Sequence, residues 1–269
     1  MPRRQRQPVQ RYHDRVASRY DASYDDVYWQ WHDSLTWHHL KTYVPREHGA
    51  ETVDLGCGTG KWGLRLLAAG CYVVFVDISM RMLEQAQAKV FAAGVEKRAK
   101  FVQADLMDLC ELLPDRYELI TALGEPIAAS RDPRAALRQI RRTLAPGGVL
   151  VATFDNKLAA LDFYLQQGDA EHLKRFLRDG RTHWLTKDAS EQFPIHTHAP
   201  SDVRRLLEST GFELLDMIGK TVLPMRHYRD LLAEPADRRA LAAIEKSLWR
   251  DPAAIGRATH IQVAARRPR

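Results

Sequence analysis

The sequence predicts one α/β domain built on a doubly wound, mostly parallel sheet of seven strands beneath a helical cap. Three observations carry that prediction. Short apolar runs alternate with helical stretches from Glu51 onward, and three successive runs end in a carboxylate, at Asp54, Asp77 and Asp105. The first run passes directly into a glycine loop, Gly56-Cys57-Gly58-Thr59-Gly60. Such alternation is the mark of βαβ units, and ligands of open α/β sheets bind along the carboxyl ends of the strands.

The elements follow in order. Residues 9–46 read as helical, with no glycine or proline between Val9 and Val44, and they hold eight of the 23 aromatic residues. Strands are expected at Thr52–Leu55, Tyr72–Val76, Phe101–Ala104, Leu119–Leu123 and Val149–Phe154. Between them lie helices with readable ends. Lys61–Ala69 stops at Gly70, Met80–Ala93 follows Ser79 and stops at Gly94, and Pro133–Leu144 stops before the turn Pro146-Gly147-Gly148. A polar, mostly helical segment at about 158–200 is too long for an ordinary αβ connection and reads as a lid. A helix at Ser201–Ser209, a strand at Phe212–Ile218, a helical stretch at Leu241–Trp249 and a last strand at His260–Ala265 complete the count. The expected organisation is a basic tail over 1–8 and one domain over 9–268, with an N-terminal cap at 9–46 and a cap insertion at 158–200. A chain of 269 residues suits one sizeable core.

Composition excludes several classes. No apolar run approaches the roughly 18 residues of a membrane span, and the start Met1-Pro2-Arg3-Arg4-Gln5-Arg6 leads into no signal-peptide core. A cytoplasmic protein without membrane contact is expected. Cys57, Cys71 and Cys110 form no C-x-x-C pair, so neither a zinc site nor a disulfide framework is indicated. The net charge of +6 resides in the ends: without Arg3, Arg4, Arg6, Arg266, Arg267 and Arg269 the balance is 34 basic against 34 acidic residues. A basic face on the folded domain is therefore not implied, although arginine tails can hold RNA in a salt-dependent way.

The glycine loop carries the chemistry. Glycines let a backbone approach a ligand closely, and the helix N-terminus beyond offers free N–H groups to an anion. Gly58-Thr59-Gly60-Lys61-Trp62-Gly63 also satisfies the dinucleotide pattern. Asp54 discriminates, because a carboxylate at the mouth of the loop repels a pyrophosphate but suits a sulfonium and an ammonium. S-adenosylmethionine (SAM) brings both. Asp77 stands 19 residues past Gly58, where ribose hydroxyls are held in such sheets.

The whole set resembles the class I SAM-dependent methyltransferases, a Rossmann-like family, from about Asp14 to Pro268. The resemblance implies SAM as cofactor and S-adenosyl-L-homocysteine as product. It places Asp54, Gly56, Cys57, Gly58 and Gly60 around the methionine part, Asp77 at the ribose, and Ile78 and Met82 beside the adenine. Asp105 and Leu106 match the pair that reads the adenine edge, and Leu123 the fourth-strand backbone near the ammonium. His13-Asp14-Arg15-Val16-Ala17-Ser18-Arg19-Tyr20-Asp21 resembles the entry helix of the ubiquinone-biosynthesis type, in which Tyr20 closes over SAM; His13 stands where phenylalanine is usual. Leu144-Ala145-Pro146-Gly147-Gly148 matches the turn before strand five, and Thr259–Ala264 the last antiparallel strand, with His260 a strand-end residue.

Methyl transfer from a sulfonium is an in-line displacement in which positioning can supply most of the effect. Candidates for a general base are Glu125, His196 and His198. The expected acceptor pocket adds Tyr28, Trp31 and His183 to these. Asp155-Asn156 read equally as site residues or as a helix cap. Both caps are expected over the carboxyl edge of the sheet, with His196 or His198 facing the cleft. A small-molecule acceptor is the leading expectation. Gly219-Lys220-Thr221 and His227–Leu231 resemble the corresponding region of tRNA carboxymethoxyuridine carboxyl methyltransferases, which keeps an RNA acceptor open. A SAM-binding protein that methylates nothing is the third alternative.

Overall fold

The computed structural model describes residues 6–113, 117–166, 168, 170–184 and 192–269. Seven strands form the main sheet: β1 (Glu51–Leu55), β2 (Tyr72–Asp77), β3 (Ala99–Gln103), β4 (Tyr117–Ala122), β5 (Leu144–Asp155), β8 (Glu213–Lys220) and β9 (His260–Arg266). Their spatial order is β3-β2-β1-β4-β5-β9-β8. The first five run parallel, while β9 lies antiparallel between β5 and β8. Between the strands run helices α3 (Lys61–Ala68), α4 (Met80–Ala92), α5 (Leu109–Leu112), α6 (Pro133–Thr143), α9 (Pro200–Ser209), α10 (Pro235–Leu248) and α11 (Pro252–Arg257).

Parallel strands covered on both faces read as continuous apolar runs, and here each face feeds its own core. Val53, Leu55, Val74, Val76 and Ile120 pack with the α6 residues Leu137 and Ile140 and with Val203 and Leu207 of α9. On the other side Val73, Phe75, Leu119 and Val151 pack against Leu66, Leu67 and Leu83. Helix α3 sits unusually close to the sheet. A Cβ added at Gly63 would lie 2.1 Å from the Phe75 ring, so this contact requires glycine.

Two expectations about the backbone need correction. Residues 9–46 do not form one helical run: α1 (Pro8–Val16) and α2 (Val27–Leu40) are separated by two short 3-10 turns, Ala17–Arg19 and Asp21–Tyr24. Asp26 is the reason, because its carboxylate accepts the Trp29 N–H at 2.9 Å and starts α2 afresh. The stretch from Leu144 to Gly148 belongs to β5 rather than to a free turn, since Gly147 and Gly148 exchange backbone hydrogen bonds with Arg267.

The segment after β5 comprises α7 (Leu161–Gln166), α8 (Ala170–Asp179) and a two-stranded hairpin of β6 (Arg181–His183) and β7 (Pro194–His196). It folds over the carboxyl edge of the sheet, where it shares a cavity with the glycine loop. Asn156 buckles it down. Its side-chain amide donates to the carbonyls of Ile255, Gly256 and Ala258, and its carbonyl accepts from Leu158 N. Asn156 is thus the cap, which leaves Asp155 free to face the cavity.

Candidate active site

One cavity of about 520 Å³ lies along the carboxyl edge of the sheet. Its floor is the β1–α3 loop. Gly56 and Gly58 adopt φ of 60° and 53°, and a Cβ built on Gly58 would meet nothing within 4 Å. The space in front of the loop is therefore open to the cavity. Asp77 pins the loop by accepting Gly58 N at 2.9 Å and Ser79 N at 2.8 Å. Burial raises its pKa. Asp14 of α1 then accepts the Ser79 hydroxyl at 2.6 Å, which ties the N-terminal cap to the end of β2.

Of the residues expected at the cofactor, Tyr20, Gly56, Cys57, Gly58, Asp77, Ile78, Asp105, Leu106 and Leu123 all line the cavity. These are the groups that could hold SAM: acids at the β2 and β3 ends for hydroxyls and an amine edge, and a bare glycine backbone for the amino-acid end. Three others lie outside it. Asp54 is 1% exposed, and its carboxylate accepts Gly63 N at 2.8 Å and the Thr121 hydroxyl at 2.7 Å. It therefore fastens α3 to β4 instead of facing a sulfonium. Burial pushes it up to about 7 against those two hydrogen bonds. Gly60, at φ 89°, is the N-cap of α3 and packs towards Ala86. Met82 is fully buried against Val16 and Ala17, so it supports α1 rather than a base.

The acceptor side needs more revision. Glu125 lines the cavity as expected. Tyr28 and Trp31 do not: they sit in a core with Leu35, Met225 and Leu232. The opposite face of α2 supplies Trp29, His32, Asp33 and Thr36 instead, since residues three and four apart share a helical face. His183, His196 and His198 also point away. Side chains alternate along strands, and in this hairpin Thr182, Ile195 and Thr197 take the inward positions. His198 packs edge-on against Phe154 at 5.5 Å, and burial lowers it to about 4.

At the far end of the cavity Glu125, Asp155 and His260 bring one polar atom each within 4.8 Å of one another. Glu125 has φ 61°, a left-handed conformation that costs a non-glycine residue about 1–3 kcal/mol. The Thr153 hydroxyl holds it there, accepting from the N–H groups of Gly124 and Glu125 at 3.0 and 3.3 Å. Burial raises Asp155 to about 8, with the Glu125 charge adding to the effect and Lys220 and Arg226 opposing it. Burial also raises Glu125, and it depresses His260 well below the usual histidine range, which keeps that ring neutral at pH 7. Lys220 is 2% exposed, and its ammonium donates to the Thr36 hydroxyl at 2.9 Å. Burial lowers it to about 8 despite Glu125, Asp33 and Asp155 nearby.

Lys220, Arg226 and a site role for His260 were not expected from the sequence. A signal was present in the register. His260 pairs with Asp155 on one side and with Lys220 on the other, so the last two strands deliver polar residues to the same edge as the first three.

The roof is aromatic. Phe193 of the insertion lies 5.3 Å from Tyr12 and 5.9 Å from His13 of α1, and stacks on Trp184 at 5.9 Å. Tyr20 and Tyr24, 4.8 Å apart, continue that wall towards Trp29.

Known proteins resemble this chain in sequence and in fold. A methyltransferase-domain family matches residues 52–148. Over 265 residues, 95% of each chain, the protein is 25% identical to the tRNA 5-carboxymethoxyuridine methyltransferase of Escherichia coli. It is 26% identical to the ubiquinone biosynthesis O-methyltransferase of Xanthomonas euvesicatoria, over 66% of this chain and 69% of that one. Among solved structures, the CcbJ methyltransferase of Streptomyces caelestis superposes with a TM-score of 0.63 at 16% identity, covering 97% of this chain and 99% of the other. The matched domain and these relatives support the class I SAM-dependent methyltransferase family, and the protein is a SAM-dependent methyltransferase with SAM as its cofactor. No helix among the described residues is long and apolar enough to cross a membrane.

Proposed function

We propose that this enzyme methylates an oxygen of a small-molecule acceptor seated at the polar end of the cavity. The observation that carries this reading is the meeting of Glu125, Asp155 and His260 on the wall of the cavity that the glycine loop opens onto. Residues 9–46 and 158–200 act as the acceptor-defining cap of a single domain over 9–268. The cofactor's ribose falls to Asp77, its adenine edge to Asp105 and Leu106, and its methionine end to Gly56, Cys57 and Gly58, with Tyr20 closing above. When bound, SAM supplies an electrophilic methyl group on a sulfonium.

The chain's own residues do the rest. Asp155 accepts the proton of an acceptor hydroxyl as the oxygen–carbon bond forms and the carbon–sulfur bond breaks. A base whose pKa lies near the working pH is the effective kind. Glu125 and the neutral His260 orient that hydroxyl, and the aromatic roof excludes water. An oxygen acceptor is also what the name of the Xanthomonas relative describes.

A second reading takes its support from the Escherichia coli relative, whose alignment spans 95% of both chains and therefore the caps as well. The cavity would then receive one modified tRNA nucleotide turned out of its strand, and the arginine-rich ends would contact phosphates.

Incubation with methyl-labelled SAM plus either a metabolite extract or total tRNA separates the two. Label is expected in the metabolite fraction. Asp155→Asn should lower kcat about 10²- to 10⁴-fold while SAM binding is retained. Label in tRNA, or unchanged turnover in Asp155→Asn, would overturn the leading reading.

A further inference from the structure

Two cations face the polar end of the cavity without a carboxylate partner among the described residues. The Lys220 ammonium, at the end of β8, donates to a hydroxyl, that of Thr36. The Arg226 guanidinium lies over the rings of Tyr28 and Trp29, at 5.6 and 5.4 Å from their centroids. Both line the cavity, and among the described residues neither comes within 4.0 Å of a carboxylate oxygen. The other lysine lining the cavity is matched: Lys61 pairs with Asp33 at 2.6 Å.

Lysine is almost never fully buried unless it is paired, and a buried charge without a partner is costly. Three acids of the cavity, Glu125, Asp33 and Asp155, act on Lys220 from beyond ion-pair distance, and Asp33 is already paired with Lys61. Burial favours the neutral forms of Glu125 and Asp155, and His32 and His260 are neutral too. Neither Lys220 nor Arg226 is therefore matched by a carboxylate at contact distance among the described residues, and a ligand anion can take that place. A planar guanidinium already stacked on two rings loses little freedom when it takes a planar anion.

We propose that Lys220 and Arg226 form an anion subsite and that the methyl acceptor bears a carboxylate, which these two side chains hold. This rests on the reading that the same cavity is the acceptor site for oxygen methylation. The carboxylate could belong to a free organic acid or to the acidic side chain of a modified nucleotide, and the chemistry at Lys220 and Arg226 is the same in both.

Benzoate and benzamide, equal in shape and unequal in charge, are suitable probes of the protein loaded with S-adenosylhomocysteine. In calorimetry benzoate should bind at least about tenfold tighter than benzamide, the loss expected for a charge-assisted contact. That preference should disappear in Lys220→Met and fall in Arg226→Gln, with S-adenosylhomocysteine affinity unchanged as the control for folding. Equal binding of the two probes, absence of benzoate binding, or a benzoate preference that survives in both variants would overturn the anion subsite. Label transfer from SAM, with the labelled product separated on an anion exchanger, assigns the source. Label on an acidic metabolite identifies a free acid, and label in tRNA identifies a nucleotide side chain. Label on an uncharged acceptor whose KM is the same in wild type and Lys220→Met would refute the inference while leaving oxygen methylation standing. No label on any oxygen acceptor would instead remove the oxygen-methylation reading itself.

Discussion

The Gln7 side-chain amide donates to the Asp105 carboxylate at 2.5 Å, across 98 residues of sequence. Asp105 lies two residues beyond the third strand and lines the cavity, and Arg131 holds the same oxygen at 3.3 Å. The cap is thereby fastened to an acid that the cofactor's adenine edge is proposed to use, so binding of SAM competes with this contact. Gln7→Ala should raise the association rate constant of SAM about two- to tenfold, the value of one lost hydrogen bond. Stopped-flow tryptophan fluorescence can follow it, since Trp29, Trp62 and Trp184 border the cavity. A rate that is unchanged or slower would mean that the cap does not have to yield.

Asp77→Ala removes both the proposed ribose contact and the pin on Gly58. SAM affinity should fall about ten- to a hundredfold, with the circular dichroism spectrum preserved. Affinity within a factor of two of wild type would place the ribose elsewhere.

The pH dependence of kcat/KM should be bell-shaped around about 8. Asp155, raised to about 8, must lose its proton to act, so the rate climbs as pH approaches that value. Lys220, lowered to about 8, must keep its proton to hold an anion, so the rate falls beyond it. The groups share one wall and titrate together. In Lys220→Met the alkaline limb should vanish while the acidic limb remains. A profile of the variant that keeps both limbs would show that Lys220 is not the group lost at high pH.

Asp54 gives a stability prediction whose sign follows from burial. Its folded-state pKa of about 7 lies above the ordinary 3.8, so its contribution is complete below the unfolded value and is lost as pH rises through about 7. Asp54→Asn removes that titration but weakens the bonds to Gly63 and Thr121, at about 1–3 kcal/mol. Thermal unfolding should therefore show a Tm deficit in the variant at about pH 5 that narrows by about pH 9. A deficit that widens with pH would mean that the carboxylate is ionised throughout.

The sheet was legible because its signals are local. Apolar runs, glycine stops and the acids at Asp77 and Asp105 mark strand ends without any knowledge of what packs where. The cap was not legible to the same degree. Whether Tyr28 or Trp29 faces the cavity depends on one rotation of α2, and both are aromatic, so residue type does not decide between them. Asp26 set that rotation by restarting the helix. The histidines of the hairpin failed for a related reason: shifting a two-residue period by one exchanges inward and outward faces. Asp54 illustrates a third limit. A carboxylate in the right sequence position can satisfy the protein's own backbone instead of a ligand.

Helix α2 turns one face to the hydrophobic interior through Tyr28, Trp31 and Leu35, and the other to the cavity through Trp29, His32 and Thr36. Stability and selectivity are thus written on interleaved positions of one element. Exchange of Trp29, His32 or Thr36 could retune which acceptor is taken while the cofactor apparatus stays as it is. A lineage of such enzymes could change clientele over evolutionary time by drift along this single stripe, and a directed library confined to those three positions would sample the same freedom in the laboratory.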